Sequence, residues 1–96
     1  MHIISKSALR RFWTTHPRAR GPLSEWHKAA SKAEWRSFAD VKATHPTADR
    51  YSPLVVFDIG GDKYRLIAAV RFDCGKVFVR NVLTHAEYTR GDWKTE

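Results

Sequence analysis

The apolar residues of this chain change their spacing once, near residue 54, and that single change constrains the fold more than any individual residue does. Upstream of it Ala8, Leu9, Phe12 and Trp13, and then Leu23, Trp26, His27, Ala30 and Ala33, recur at helical spacing, which puts each set on one helix face. Downstream, residues 54–59, 63–72 and 76–84 are runs rich in β-branched and aromatic residues, separated by Gly60-Gly61-Asp62 and Asp73-Cys74-Gly75. Turn residues between such runs read as a three-stranded antiparallel meander. The chain is therefore expected to be an α+β protein with N-terminal helices packed on one face of a small, mainly antiparallel sheet.

Local signals set the expected boundaries. Ser5 is placed as the N-cap of a first helix that ends at His16-Pro17, and Pro22 suits the first turn of a second. Ser37-Phe38-Ala39-Asp40 has a capping-box-like pattern and opens a third helix, which must stop before His45-Pro46. His2-Ile3-Ile4 is a short β-prone start, His27 is assigned to the core, and residues 89–96 read as a polar tail. A chain of 96 residues fits one domain, residues 1–96, and excludes two.

Seventeen Lys and Arg against ten Asp and Glu give a net charge of +7, so the first partner to consider is a polyanion, nucleic acid ahead of anionic membrane. The charge is uneven: residues 1–50 carry ten basic and four acidic side chains, a net +6 that leaves +1 for the rest. Cys74, the only cysteine, forms no internal disulfide, and no apolar stretch is long enough for a signal peptide or a membrane span. A reducing cytoplasm is the expected location. Five scattered histidines and one cysteine lack metal-ligand spacing, so neither a metal nor another cofactor is expected. Gly60-Gly61 joins two strands and opens no helix, which makes it a hairpin turn and not a phosphate loop.

In the middle strand Tyr64, Leu66, Ala68 and Val70 share one face and Arg65, Ile67, Ala69 and Arg71 the other, because side chains alternate. Lys63 precedes Arg65 by two residues, and Arg80 lies on the strand expected beside it. These cations either hold a phosphate or only keep an exposed face soluble. Cleavage of RNA by its own 2′-hydroxyl builds extra negative charge on the scissile phosphate, which fixed Arg and Lys groups stabilise. His85 follows the last strand, where reactive groups are commonly placed, and imidazoles titrate near neutral pH. It is a candidate general acid or base, or merely a solvated histidine. Tyr88, three residues on, is suited to stacking on a base, to proton transfer, or to packing alone.

Three ordered segments, residues 33–44 (AEWRSFADVKAT), 56–67 (VFDIGGDKYRLI) and 79–88 (VRNVLTHAEY), resemble the signature segments of HigB-type toxins of the RelE superfamily, and the resemblance spans essentially the whole chain. It implies a RelE-like fold, ribosome-dependent cleavage of translated mRNA, and a tight complex with a HigA-like helix-turn-helix antitoxin that also represses the shared operon. Operator DNA would then be met only through the antitoxin. Carried over by position, Arg65, His85 and Tyr88 fall where the family's cleavage residues lie, with Lys63, Arg71 and Arg80 as the cations assigned to RNA. The chain departs from RelE proper in two places: residues 55–59 carry no lysine, and His85 stands where RelE has an arginine. The basic N-terminal helices, with Arg10, Arg11, Arg18, Arg20, Lys28 and Lys32, are expected to address ribosomal RNA while the sheet face addresses the message. The alternatives are a non-catalytic RNA-binding module and an inactive toxin relic that acts through its antitoxin.

Overall fold

The computed structural model describes residues 1–95. Its elements run β1 (His2–Ile4), α1 (Lys6–Thr15), α2 (Arg20–Lys32), α3 (Phe38–Thr44), β2 (Asp49–Tyr51), β3 (Leu54–Ile59), β4 (Tyr64–Arg71), β5 (Lys76–Thr84) and α4 (His85–Arg90). Single 3-10 turns precede α2 and follow α4.

The helices form where the spacing places them. α1 ends against Pro17, which cannot donate the next helical hydrogen bond. α2 presents Leu23, Trp26 and Ala30 to the interior, and Pro22 lies in its first turn, where a missing N–H costs nothing. The capping box expected on α3 is not formed as such: Ser37 makes no side-chain cap, and the Asp40 carboxylate instead accepts from the Arg36 N–H at 2.8 Å.

The sheet has five strands in the order β1-β5-β4-β3-β2. β3, β4 and β5 are the meander, and the positive φ of Gly60 (63°) and Gly61 (74°) permits the tight reversal between β3 and β4. Two strands extend it beyond the three expected. β1 joins in parallel to β5, and the short polar β2 pairs antiparallel with β3. Neither pairing is visible in a hydrophobic pattern, because three residues are too few to show a period and all of β2 is exposed.

Alternation along β4 holds. Leu66, Ala68 and Val70 face the helices and join Leu9, Leu23, Trp26, Val41, Phe57 and Val77 in the main core. Ile67 and Ala69 point the other way. That second face is not the open cationic surface expected of it. Leu54, Val56 and Ile67 are buried there beneath Trp93, which is 3% exposed, with Leu83 and Tyr88 packed around them. The expectation of a polar tail over residues 89–96 is thus corrected through Lys94: α4 and the turn after it fold back and close the face, while Glu96 lies outside the described residues. A buried indole has more apolar area to hide than the polar residues around it have to solvate. His27 is also corrected. It is only half-buried, and the histidine whose ring meets core aromatics is His45, also half-buried, edge-on to both Trp35 and Phe57. Among the described residues no helix is long and apolar enough to cross a membrane.

Candidate active site

Thr84 ends β5 opposite Tyr64 and starts α4. Its hydroxyl accepts from the Glu87 N–H at 3.2 Å while the Glu87 carboxylate accepts from the Thr84 N–H at 2.9 Å, a complete capping box. The N–H of Thr84, donating to this carboxylate, holds the Glu87 carboxyl below the usual range against a smaller opposing effect of burial. The chain therefore leaves the strand and enters the helix without a loop. His85 becomes the first residue of α4, its N–H donating to the Lys63 carbonyl at 3.1 Å. Tyr88 comes one turn later, on the same face as His85.

That face meets Arg65. The Arg65 guanidinium lies 5.2 Å from the centre of the Tyr88 ring, and its Nε is 3.0 Å from a carboxylate oxygen of Asp58, the register partner on β3. Its Nη1 donates to the carbonyls of Asp62 (2.8 Å) and Tyr64 (3.1 Å). The side chain is 11% exposed, and Nη2 has no hydrogen-bond partner among the described residues. A guanidinium is planar, so fixing Nε, Nη1 and one face fixes the direction of the remaining donors. Tyr88 is held in turn. Its ring stacks on Trp93 at 5.3 Å and 10°, and the Trp93 indole N–H donates to the Tyr88 carbonyl at 3.1 Å.

The result is a preorganised cation at the end of a hairpin, beside an aromatic ring, with the exposed His85 one helical turn before that ring and tied through its backbone to Lys63; the His85 imidazole has no side-chain partner among the described residues. A fixed donor set meets a phosphate without reorganising, which is what charge stabilisation in a transition state needs.

Arg65, His85, Tyr88 and Lys63 are brought together. Lys63 lies in the turn before β4, exposed, and joins through its backbone. Arg71 and Arg80 do not join. Arg71 is six residues from Arg65, roughly 20 Å along the strand, and pairs with Asp73 at 3.2 Å. Arg80 is displaced by a bulge: the register steps from Ile67↔Asn81 to Ala68↔Val79, so Arg80 is the extra residue of β5. Arg65 stands opposite Leu83. Asp58, Thr84, Glu87 and Trp93 escaped the sequence reading, although Thr84-His85-Ala86-Glu87 carries the capping-box pattern in plain view.

Comparisons with known proteins converge on one family. Residues 19–91 match the model of a RelE-like toxic component of a toxin–antitoxin system, the HigB toxin. The chain is similar to the mRNA interferase toxin HigB of Escherichia coli strain K12, 31% identical over 91 residues that cover 92% of this chain and 88% of that protein. It is equally similar to the mRNA interferase HigB of Shigella flexneri, and 26% identical over 93 residues to that of Escherichia coli O6:H1 strain CFT073, covering 94% of this chain and 90% of the relative.

Proposed function

We propose, on the premise that this chain belongs to the HigB family of RelE-like toxins, that it inhibits translation by cutting messenger RNA with the cluster around Arg65. It is the toxin of a toxin–antitoxin pair and an mRNA interferase, so its partners are an antitoxin and RNA. The finer reading is that the message is cut on the ribosome, in the cytoplasm, that the antitoxin is a HigA-like helix-turn-helix protein, and that operator DNA is met only through it.

The observation that carries the role of the cluster is the clamped guanidinium of Arg65, aimed by Asp58, two carbonyls and the face of Tyr88. In the step it serves, the 2′-oxygen of the nucleotide attacks the adjacent phosphorus and loses its proton to a base. The P–O bond to the next nucleotide breaks, and that 5′-oxygen takes up a proton. The products are a 2′,3′-cyclic phosphate and a 5′-hydroxyl. Arg65 stabilises the charge that builds on the phosphate oxygens, and His85 supplies the proton to the leaving oxygen. Tyr88 holds Arg65 and offers a ring beside the scissile nucleotide. Lys63 adds positive potential at the same end of the sheet. The chemistry runs on side-chain acids and bases, without a metal.

Pulsed expression of the wild type and of the Arg65→Ala, His85→Ala double variant in bacteria, followed by mapping of mRNA 5′ ends, tests this. New ends inside translated frames with the wild type alone are expected, and their positions report codon preference. Equal 5′ ends in both strains would overturn the assignment of the site, and no new ends in either would leave RNA binding without cleavage.

A further inference from the structure

β2 covers the outer edge of β3 only along Leu54–Val56, and among the described residues no strand lies beside Phe57–Ile59 on that side. A cavity of about 380 Å³ opens at this end of β3, against α2 and the turn after α3, with Glu25, Trp26, His45, Asp58 and Ile59 in its lining. Two of these side chains carry a buried nitrogen that has no hydrogen-bond partner, the indole Nε1 of Trp26 and the imidazole Nε2 of His45. Among the described residues they are the only two in that state.

Both rings rest edge-on against Phe57, with centroids 5.3 and 5.2 Å from it at 66° and 81°. Packing therefore sets where they lie, and no polar contact within the chain places either nitrogen. Trp26 is only 3% exposed, and buried polar atoms are nearly always paired, so the two point to a partner from outside the chain. An indole N–H only donates, so the partner must accept there. That excludes a lysine or arginine side chain, which carries donors alone. Burial holds the His45 pKa below its ordinary value, so the ring is neutral near pH 7 and its Nε2 donates or accepts as the partner requires. Glu25 stands exposed in the lining with its carboxylate unpaired among the described residues, and no lysine or arginine lines the cavity with it. A phosphate is repelled there, and a group that donates is drawn in. An uncharged ligand that both accepts and donates is what remains. Adenine, cytosine and guanine have an exocyclic amino group near a ring nitrogen or carbonyl, and uracil has no amino group.

We propose that this cavity is a base-reading subsite, which takes an amino-bearing nucleobase of the RNA strand whose scissile phosphate lies at Arg65. The inference rests on the nuclease reading given above. The Trp26 N–H donates to the acceptor of the base, its amino group donates to Glu25, and His45 meets the same edge. Asp58 belongs to both sites, since it lines the cavity and its carboxylate takes Arg65 Nε at 3.0 Å. A carboxamide side chain of a protein partner offers the same donor and acceptor. The cavity is of the size that takes a whole small ligand, however, and the shared Asp58 puts it beside the bound message, which favours the base.

The test is fluorescence anisotropy with non-cleavable 2′-O-methyl octanucleotides of adenine, cytosine or uracil alone, against the wild type, Trp26→Phe, Glu25→Ala and Arg65→Ala. The wild type should bind the adenine and cytosine strands about tenfold or more tightly than the uracil strand, the size of one hydrogen bond to a charged group. Trp26→Phe removes the N–H and keeps a ring. It and Glu25→Ala should each cut that ratio by roughly threefold to tenfold, whereas Arg65→Ala should weaken all three strands and leave the ratio alone. Glu25 is exposed, so Glu25→Ala decides the matter even if thermal unfolding shows that Trp26→Phe does not fold. Free adenosine, titrated in parallel, should bind far more weakly than the adenine strand, and equal affinity would assign the cavity to a free nucleoside and overturn the RNA reading. The inference is also overturned if the wild type binds the three strands alike, if Glu25→Ala keeps the full ratio, if the folded variants weaken all three strands equally, or if only antitoxin binding is lost. A wild type that cuts no message but shows the ratio and its loss refutes the nuclease reading and not the subsite.

Discussion

A guanidinium that touches one carboxylate, two carbonyls and an aromatic face cannot be exchanged for an ammonium without losing most of those contacts. Lysine at position 65 keeps the charge but offers one point of donation on a flexible stem. Arg65→Lys is therefore expected to fold, to bind RNA at low salt, and to cleave about 10²-fold more slowly or worse, the loss typical of removing one preorganised donor. Cleavage of a translated message in a reconstituted translation reaction measures it, and a rate within twofold of wild type would show that charge alone suffices at this position. Arg65, His85 and Tyr88 were legible in the sequence because strand alternation and a one-turn spacing place them. Asp58 was not, since its partnership with Arg65 exists only once the hairpin register is set. Arg80 was assigned to the wrong cluster for a related reason. Counting by twos along β5 assumes an unbroken strand, and a single inserted residue moves every later side chain relative to its neighbour.

α4 is only six residues long, too short to persist by helix propensity, so its ends carry it. Thr84 and Glu87 close the start, and Gly91, at φ 78°, closes the finish in a conformation that glycine adopts at little cost. Because α4 presents both His85 and Tyr88, the cap supports the site as well as stability. Glu87→Ala is expected to cost about 1 kcal/mol, or roughly 4–8 °C in Tm, whereas Glu87→Gln keeps a side-chain acceptor and costs less. The pH dependence has a definite sign. The folded carboxyl is held below its unfolded value of about 4.3, so its charge contributes stability above that pH and the contribution fades as pH falls below it. Urea unfolding at pH 7 and pH 3.5 should therefore show the wild type's advantage over Glu87→Gln shrinking in acid. An advantage that grows in acid would contradict the arrangement. The three N-terminal helices were readable because each turns a periodic apolar face to the core. α4 was missed because it has no buried residue and so leaves no hydrophobic period to read.

At the scale of the molecule, the sheet is covered on both faces but unequally. The helix side carries the large core, and the other side depends on a small cluster closed by one indole. Trp93 lies among Arg90, Gly91, Asp92 and Lys94, and a lone apolar residue in polar surroundings has no periodicity to announce where it packs. Yet it is the residue on which the far face converges. It covers Ile67 and Val56, takes the edge of Tyr51 at 5.1 Å, and backs the Tyr88 ring that in turn backs Arg65. Removing it opens the second core and loosens the site in one step. Trp93→Ala is expected to cost about 3–5 kcal/mol, a large part of the 5–15 kcal/mol typical of a small domain, and to lower cleavage even under conditions where the protein remains folded. Trp93→Phe fills most of the space and preserves the stack while losing the indole donation to the Tyr88 carbonyl, so it should lose less stability and retain most of the activity. Thermal unfolding paired with cleavage assays well below each variant's Tm separates the two contributions. If Trp93→Ala unfolds within a degree or two of the wild type, the C-terminal segment does not close that face. If instead stability falls as expected but cleavage per folded molecule is unchanged, the stack under Tyr88 is packing alone and Arg65 is held sufficiently by Asp58 and the two carbonyls.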